Sequence, residues 1–510
     1  MAIQLGPILR LHSASASEWV VSVMYVLDAT DPAPNVKFAV PPGAGLVDAG
    51  NAELLHSHPA NQPKLKAWKS LIKVVRTVDE QEIGYGVSGG VRNRFFVPAK
   101  GSSPKFAYAS CNGFSDPKAM KKVTDKNALW ADLMRRHEGE TLEPHQPKQA
   151  YHALLMGGDQ IYSDSMWEVV PALKAWLARP MDKRFKAEYT NKMKEAVENF
   201  YFKTYIERWS QPEPAAALAS IPTAMMWDDH DIFDGWGSYP AAHQASPVFQ
   251  GIFAEAKRCF SIFQLHTVPG ASRSASVGLS AGFSYGYDFG DIAVLALDMR
   301  SERDWDQVIG FDTWETIYKW MYALPEKGHL LVMSSIPVIH PTFALLERLL
   351  GALPGQQELE DDLKDHWHSR SHCEERVRLI HRLLDFSAAK NRRVTLLSGD
   401  VHVGAIGVLE STRHNTSNAQ VINQLTSSGI VHPAPPAIAL YFLESAAKAV
   451  DQVDRGITAA MYEFPGTNNR FIGKRNWLSL EPDSKARIWA NWFVEGESRS
   501  FTKVIHAVQA

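Results

Sequence analysis

The sequence predicts an α/β layered fold preceded by a small β-rich segment. Three patterns carry that reading. Residues 1–103 contain long apolar or alternating runs with no helical periodicity. From residue 105, short apolar runs alternate with segments of helical period, the mark of an α/β domain. Five of those apolar runs stop abruptly at polar, mostly acidic residues.

The elements follow in order. WVVSVMYVL (19–27) is a continuous apolar strand, while LIKVVRTV (71–78) and VRNRFFV (91–97) alternate at period two. VPAKGSSP supplies the turn that divides the chain near 103 into 1–103 and 104–510. Helical segments are expected at 120–138, 165–205, 248–264, 313–323, 341–352, 372–390 and 438–451. Between them lie the informative strands. KFAYAS (105–110) ends at Cys111 and Asn112, and HALLMGG (152–158) at Asp159. TAMMW (223–227) ends at Asp228, Asp229, His230 and Asp231. IAVLAL (292–297) ends at Asp298 and Arg300, and VTLLSG (394–399) at Asp400 and His402. Ligands of α/β sheets gather at the carboxyl ends of strands, so these residues are expected to converge.

Composition narrows the class. The chain has 510 residues, 45% hydrophobic and 21% charged, with a net charge of −3. That balance suits a globular protein and argues against a broad nucleic-acid footprint. Three dispersed cysteines, Cys111, Cys259 and Cys373, exclude a disulfide framework. No export signal or membrane-spanning apolar run is read, so a cytoplasmic location is the expectation.

The converging residue types have a chemical consequence. Several anionic groups in one buried pocket repel one another and resist desolvation unless cations join them. Carboxylates and a phenol suit hard cations, while a thiolate and an imidazole suit a transition metal. A multi-metal site follows. Paired metals stabilise both oxygens of an in-line phosphoryl displacement and turn water into hydroxide at neutral pH. Taken singly, each residue also has a plain role: Asp159 as a helix cap, Cys111 as a buried thiol, His230 as a structural imidazole, Tyr162 as packing.

Together these blocks resemble the PhoD-like (alkaline phosphatase D) branch of the metallophosphoesterases. FAYASCNG (106–113), MGGDQIY (156–162), WDDHDIFDG (227–235), LDMRSER (297–303) and SGDVHVG (398–404) stand in the family's order. The resemblance implies a two-sheet α/β/β/α sandwich after the β-rich segment, and hydrolysis of phosphodiesters and/or phosphomonoesters of small or lipid-like alcohols. It implies Cys111, Asp159 and Tyr162 around an iron (Fe3+) ion, with Asp159 bridging to a divalent metal, calcium foremost, with manganese or zinc as alternatives. Asp229, Asp400 and His402 would complete the cluster. His230 would contact the phosphate or protonate the leaving group, Arg300 would orient the phosphate, and Asn112 would touch substrate. The family's following Asn ligand is absent; Asp234 stands as its replacement. The alternative is a scaffold or binding module that keeps the fold without catalysis.

Other motifs have weaker context. Gly84 to Gly90 fits both a dinucleotide pattern and a nucleophile elbow around Ser88, but a strand-like run follows where each needs a helix. His366, His368, His372 and Cys373 form a second cluster, read as the start of a helix capped by Ser371 and Glu374, or as a loop over the site with Arg370. Ser334, Ser335 and His340 follow a further strand and are expected either to approach the site or to pack beside it, and residues 440–510 are expected to add strands or cover the site.

Overall fold

In this computed structural model the described residues are 2–41, 43–87, 90–115, 117–139, 150–279, 282–341, 367, 372–413 and 420–508. The first hundred residues form β1 (Ile3–Ala14), β2 (Glu18–Asp28), β3 (Val36–Ala39), β4 (Val47–Asp48), β5 (Glu53–His58), β6 (Leu65–Val75), β7 (Gln81–Val87) and β8 (Asn93–Val97). Next come β9 (Phe106–Ala109), β10 (Ala153–Gly157) and β11 (Thr223–Met226). The second half carries β12 (Tyr285–Asp288), β13 (Ile292–Ala296), β14 (Gly328–Met333), β15 (Arg392–Ser398), β16 (Gly404–Ser411), β17 (Val421–Ser427), β18 (Asp451–Asp454), β19 (Ile457–Tyr462) and β20 (Phe471–Ile472). The chain ends in β21 (Asn476–Pro482), β22 (Arg487–Val494) and β23 (Phe501–His506).

Two large sheets result. One has ten strands in the order β23-β22-β21-β9-β10-β11-β1-β2-β6-β5. The other has nine, β12-β13-β14-β15-β17-β16-β19-β18 with β20 beside β16. β9, β10 and β11 pair in parallel, as do β13, β14, β15 and β17.

Side-chain alternation assembles three apolar layers. Phe106, Tyr108, Leu155 and Met226 point between the sheets, against Val294, Leu331 and Leu397. Their neighbours Ala107, Leu154, Met156 and Met225 point outward, against helices α1 (Ala128–Glu138), α2 (Asn191–Trp209), α3 (Pro212–Ser220) and α4 (Pro247–Phe263). On the far face, Leu295, Val332 and Leu396 meet helices α5 (Phe311–Ala323), α6 (Cys373–Lys390) and α7 (Ala437–Ala446). This is the α/β/β/α sandwich. Strands buried on both faces read as continuous apolar runs, which is why they were legible.

Helix starts follow local chemistry. The Thr190 hydroxyl accepts from Met193 N at the head of α2, and Ser246 from Phe249 N at the head of α4, where Pro247 takes the first turn. The expected helix 165–205 is broken into Met166–Val169, Pro171–Leu177, Met181–Arg184 and α2, because Pro171 and Pro180 each lack an amide hydrogen and end the turn before them. The expected helix 341–352 lies outside the described residues.

The first hundred residues are β-rich, yet they divide between two sheets. β3, β4, β7 and β8 form a small sheet of their own, while β1, β2, β5 and β6 extend the ten-stranded one. β1 pairs in parallel with β11, Arg10 opposite Thr223. Position 103/104 lies in the loop between β8 and β9, and strands from both sides of it share the ten-stranded sheet. The cause is burial: Ile8 of β1 faces the helices and Leu9 and Leu11 face the second sheet, so the strand needs cover on both sides. At the other end, β21 pairs with β9, so the last residues add strands to the same sheet. Among the described residues no helix is long and apolar enough to cross a membrane.

Candidate metal centre

Register brings the strand ends together. Ala109 lies opposite Met156, and Gly157 opposite Met226, so Cys111, Asp159 and Asp228 leave the sheet at one edge. Four of the expected ligands turn there with left-handed backbone: Cys111 (φ 56°), Asp159 (φ 55°), Asp400 (φ 66°) and His402 (φ 53°). Such conformations are uncommon for residues with a side chain, and their clustering marks a place where function outweighs backbone comfort. Gly158 before Asp159 has φ 108°, and a Cβ there would sit 2.8 Å from Asp228 Cβ. Only glycine lets the loop pass that close.

The side chains form linked groups. Ligand atoms of Asp159, Asp228 and Asp229 all lie within 4.8 Å of one another, and so do those of Asp229, His230 and Asp234. Asp229 belongs to both. Cys111 Sγ is 3.5 Å from Asp159 Oδ2 and 3.1 Å from Ser428 Oγ. Tyr162 stacks on His230 with ring centroids 4.3 Å apart, and its hydroxyl is 3.3 Å from His402 Nε2. Asp400 is half-buried on the turn before His402.

Two expected substrate contacts are turned elsewhere. Arg300 is fully buried. Its Nε donates to Asp228 Oδ1, its Nη2 lies 3.3 Å from Asp229 Oδ1, and its Nη1 donates to the Trp236 carbonyl. Its fork braces carboxylates of the cluster, where the resemblance implied a phosphate. Asn112 is also buried; it donates to the Gln160 carbonyl and accepts from Trp130 Nε1 and Arg208 Nη2. Both ends of its amide are spent on the loop after β10 and on α1 and α2. The physical reason is the same for both: a polar side chain just past a buried strand is drawn to satisfy its neighbours first.

Asp231 has a scaffolding task as well. It accepts from the backbone N–H groups of Asp228, Gln160 and Ile161 and from Gln264 Nε2, tying the loop after β10 to the loop after β11.

Several residues at the site carry no sequence signal. Asp164 Oδ2 is 2.7 Å from His230 Nδ1 while its Oδ1 accepts from Asp234 N, so one carboxylate orients two site residues. Ser428 Oγ accepts from His402 N and meets Cys111, and His432 stacks on His402 at 3.6 Å. Ser335, by contrast, is marked by its place after a strand, and it donates to Asp228 Oδ1. The Asp-x-x-x-x-Asp spacing from Asp159 to Asp164 is the one local hint; Ser428 and His432 arrive from the end of β17.

The remaining motifs resolve simply. β7 and β8 form an antiparallel hairpin around the glycine-rich turn, with no helix after it; Ser88 itself lies outside the described residues. His366, His368, Arg370 and Ser371 also lie outside them. His372 is buried, 3.1 Å from the Asp304 carbonyl and 3.3 Å from Arg303 Nη2. Cys373 is exposed. Ser334 donates to the Ile336 carbonyl, a packing role.

The electrostatics fit cations. Burial pushes Asp159 well above the carboxylate range; His230 opposes that shift, and Asp228, Asp229 and Asp231 add to it. Burial and Asp159 push the Cys111 thiol up, and burial with Cys111 and Asp159 does the same to Tyr162. Burial together with His432 and His230 holds His402 well below its usual value, as a neutral donor. Burial pulls His230 down, but the Asp164, Asp229 and Asp159 carboxylates outweigh it and raise its basicity. Asp159 Oδ1 is buried without a hydrogen-bond partner. Cations among these groups would reverse each upward shift of an acid. The donor set therefore fits a multi-metal centre.

Comparison with known proteins gives concordant matches. The model of a family described as PhoD related phosphatase matches residues 82–354 and 349–460. Uncharacterized protein YGR266W of Saccharomyces cerevisiae is 28% identical over 580 aligned residues, spanning 94% of this chain and 81% of the relative. The solved structure of PhoD superposes with a TM-score of 0.58 at 13% identity, covering 98% of this chain and 88% of its own. The purple acid phosphatase PPD1 from yellow lupin (Lupinus luteus) seeds superposes with a TM-score of 0.50 at 13% identity, covering 98% and 73%. These two superpositions attest the two-sheet fold with its N-terminal β region.

Proposed function

Because the chain belongs to the PhoD related phosphatase family, we propose that it is a metal-dependent phosphoesterase working at the ends of β9, β10, β11 and β15. The observation that carries this reading is that ligand atoms of Asp229 lie within 4.8 Å of those of Asp159 in one group and of those of Asp234 in another. Cys111, Asp159 and Tyr162 would hold an iron-type ion. Asp229, Asp234, Asp400 and His402 would hold a divalent partner, calcium foremost. Bound cations supply Lewis acidity toward a phosphoryl oxygen and acidify a water.

The protein's own groups do the rest. Asp164 engages His230 at Nδ1, leaving Nε2 as the atom that carries a proton to the leaving oxygen. Asp164, which is not among those metal ligands, favours the proton on His230 against the pull of burial. Arg300 holds Asp228 and Asp229 in register, so it acts on the metal ligands as a positioning residue. The substrate class we propose is a phosphodiester or phosphomonoester of a small or lipid-like alcohol.

The test combines elemental analysis, the visible spectrum and turnover of a monoester and diester panel. Iron with a phenolate-to-iron charge-transfer band, and hydrolysis lost in Asp159→Asn, are expected. Full activity in a metal-free preparation would sink the proposal.

A further inference from the structure

A second cluster of metal-capable side chains lies far from the strand ends. β5 is the outer edge strand of the ten-stranded sheet, four places from β11, or about 19 Å at the usual inter-strand spacing. Its His56 and His58 are two residues apart, and alternation along a strand puts both on one face. That face meets α2, where Glu198 sits. Glu198 Oε1 is 3.6 Å from His56 Nε2 and 3.5 Å from His58 Nδ1. Ligand atoms of all three residues lie within 4.8 Å of one another. Tetrahedral ligands about 2.0–2.2 Å from a zinc ion are spaced at roughly these separations.

The cluster is built and held. The His58 ring stacks on Phe202 of α2 at 4.0 Å with an interplanar angle of 4°, which fixes its orientation. His58 is 7% exposed, and its Nδ1 makes no hydrogen bond. A buried imidazole nitrogen aimed at a carboxylate without a hydrogen bond is an unfinished interaction.

Charge points the same way. Arg258 of α4 reaches into the cluster: Nη1 is 3.0 Å from His56 Nε2 and Nη2 is 3.1 Å from Glu198 Oε1. Yet Glu255 already takes its Nε at 2.8 Å and Nη2 at 2.7 Å. One arginine thus faces two carboxylates, leaving a surplus negative charge in a mostly buried site.

We propose that His56, His58 and Glu198 form a structural site for a zinc-type divalent cation, separate from the strand-end centre, that ties edge strand β5 to helix α2. Two imidazole nitrogens and one carboxylate oxygen are a borderline-soft donor set with a fourth position for water. On metal entry Arg258 gives up His56 and Glu198 and keeps Glu255. An edge strand is the natural place for such a tie, since among the described residues no strand pairs with its outer side.

The test uses the full chain, depleted of metal and equilibrated with Zn2+ or Co2+ alone. His58→Asn and Glu198→Gln should each bind one equivalent less zinc than wild type and lose tetrahedral Co2+ absorption, while Asp159→Asn retains that absorption. Circular dichroism verifies that each variant is folded. Equal zinc stoichiometry in wild type and folded Glu198→Gln would overturn the proposal. Arg258→Gln tests it in the opposite direction: removing the competing cation should tighten zinc binding by about tenfold or more. Unchanged or weaker zinc binding in that variant would also overturn it. Neither result depends on phosphoester turnover, so this proposal and the phosphoesterase reading stand or fall separately.

Discussion

Cys111 Sγ lies 3.5 Å from Asp159 Oδ2, and both residues leave neighbouring parallel strands in the left-handed conformation, with φ of 56° and 55°. Two strained turns side by side thus present a thiol and a carboxylate to one point. In the metal-free state burial raises both pKa values, and the Asp159 carboxylate adds to the rise at Cys111. Stability and metal binding are therefore opposed at this position.

Asp159→Asn follows directly. Asparagine tolerates the left-handed backbone and removes the buried charge. The metal-free variant is expected to be more stable than metal-free wild type by about 1–3 kcal/mol, while losing bound metal and turnover. Urea denaturation after chelation, with elemental analysis, checks both halves.

Asp164→Asn is expected to lower kcat by about tenfold to a hundredfold with little change in KM, most for substrates with poor leaving groups. The carboxylate raises the His230 pKa, so its loss moves the alkaline limb of the kcat profile to lower pH. The sign for stability is parallel. A raised histidine pKa stabilises the fold below the unfolded value of about 6.5 and ceases to do so as pH rises through the folded value. Metal-free Asp164→Asn should therefore lose most stability, relative to wild type, at acid pH.

Arg300→Lys keeps a charge but not the fork that spans Asp228 and Asp229. We expect a folded protein with reduced metal content and turnover at least about tenfold lower. Arg300→Met leaves a buried carboxylate without its cation and should cost about 3–5 kcal/mol in the metal-free state. Denaturation midpoints of the two variants side by side distinguish loss of the fork from loss of the charge.

Gly113→Ala acts first on Tyr162. A Cβ at Gly113 would lie 2.4 Å from Tyr162 Cδ2, so the ring must shift and its 3.3 Å contact with His402 Nε2 must change. A weakened or shifted phenolate-to-iron band, with unchanged far-ultraviolet circular dichroism, is the expected signature.

Acid sensitivity has a source outside the site. His329 is buried, and its pKa is lowered to about 4, chiefly by burial, although the Ala486 carbonyl it faces pulls the other way. A depressed histidine stabilises the fold above about 6.5 and stops doing so as pH falls toward 4. Wild type should lose stability across that window, and His329→Gln should lose less, by on the order of 2 kcal/mol. Urea midpoints at pH 7.5 and pH 4.5 provide the comparison.

Much of the site was legible because its signals are local. An apolar strand that stops at Asp159 or at Asp229 announces a sheet edge within a few residues of chain. Asp164, Ser428 and His432 were not legible, because a half-buried aspartate or a serine after a strand looks like any surface turn. Their roles come from His230, Cys111 and His402, which lie up to hundreds of residues away in sequence. Arg300 and Asn112 were legible as site neighbours but not in direction, since their partners Asp228, Trp236, Trp130 and Arg208 belong to other elements.

The sequence by itself determined the alternation of strands and helices, the residues at the strand ends and the family they resemble. Each depends on hydrophobic periodicity or on a contiguous motif, and both are properties of short stretches of chain. Tertiary structure decided that β1 continues the sheet of β11, and that Arg300 turns inward to two carboxylates. It also brought His56 and His58 against Glu198. Those outcomes depend on burying both faces of a strand and on pairing charges across elements, and both are energies of contacts between segments far apart in sequence.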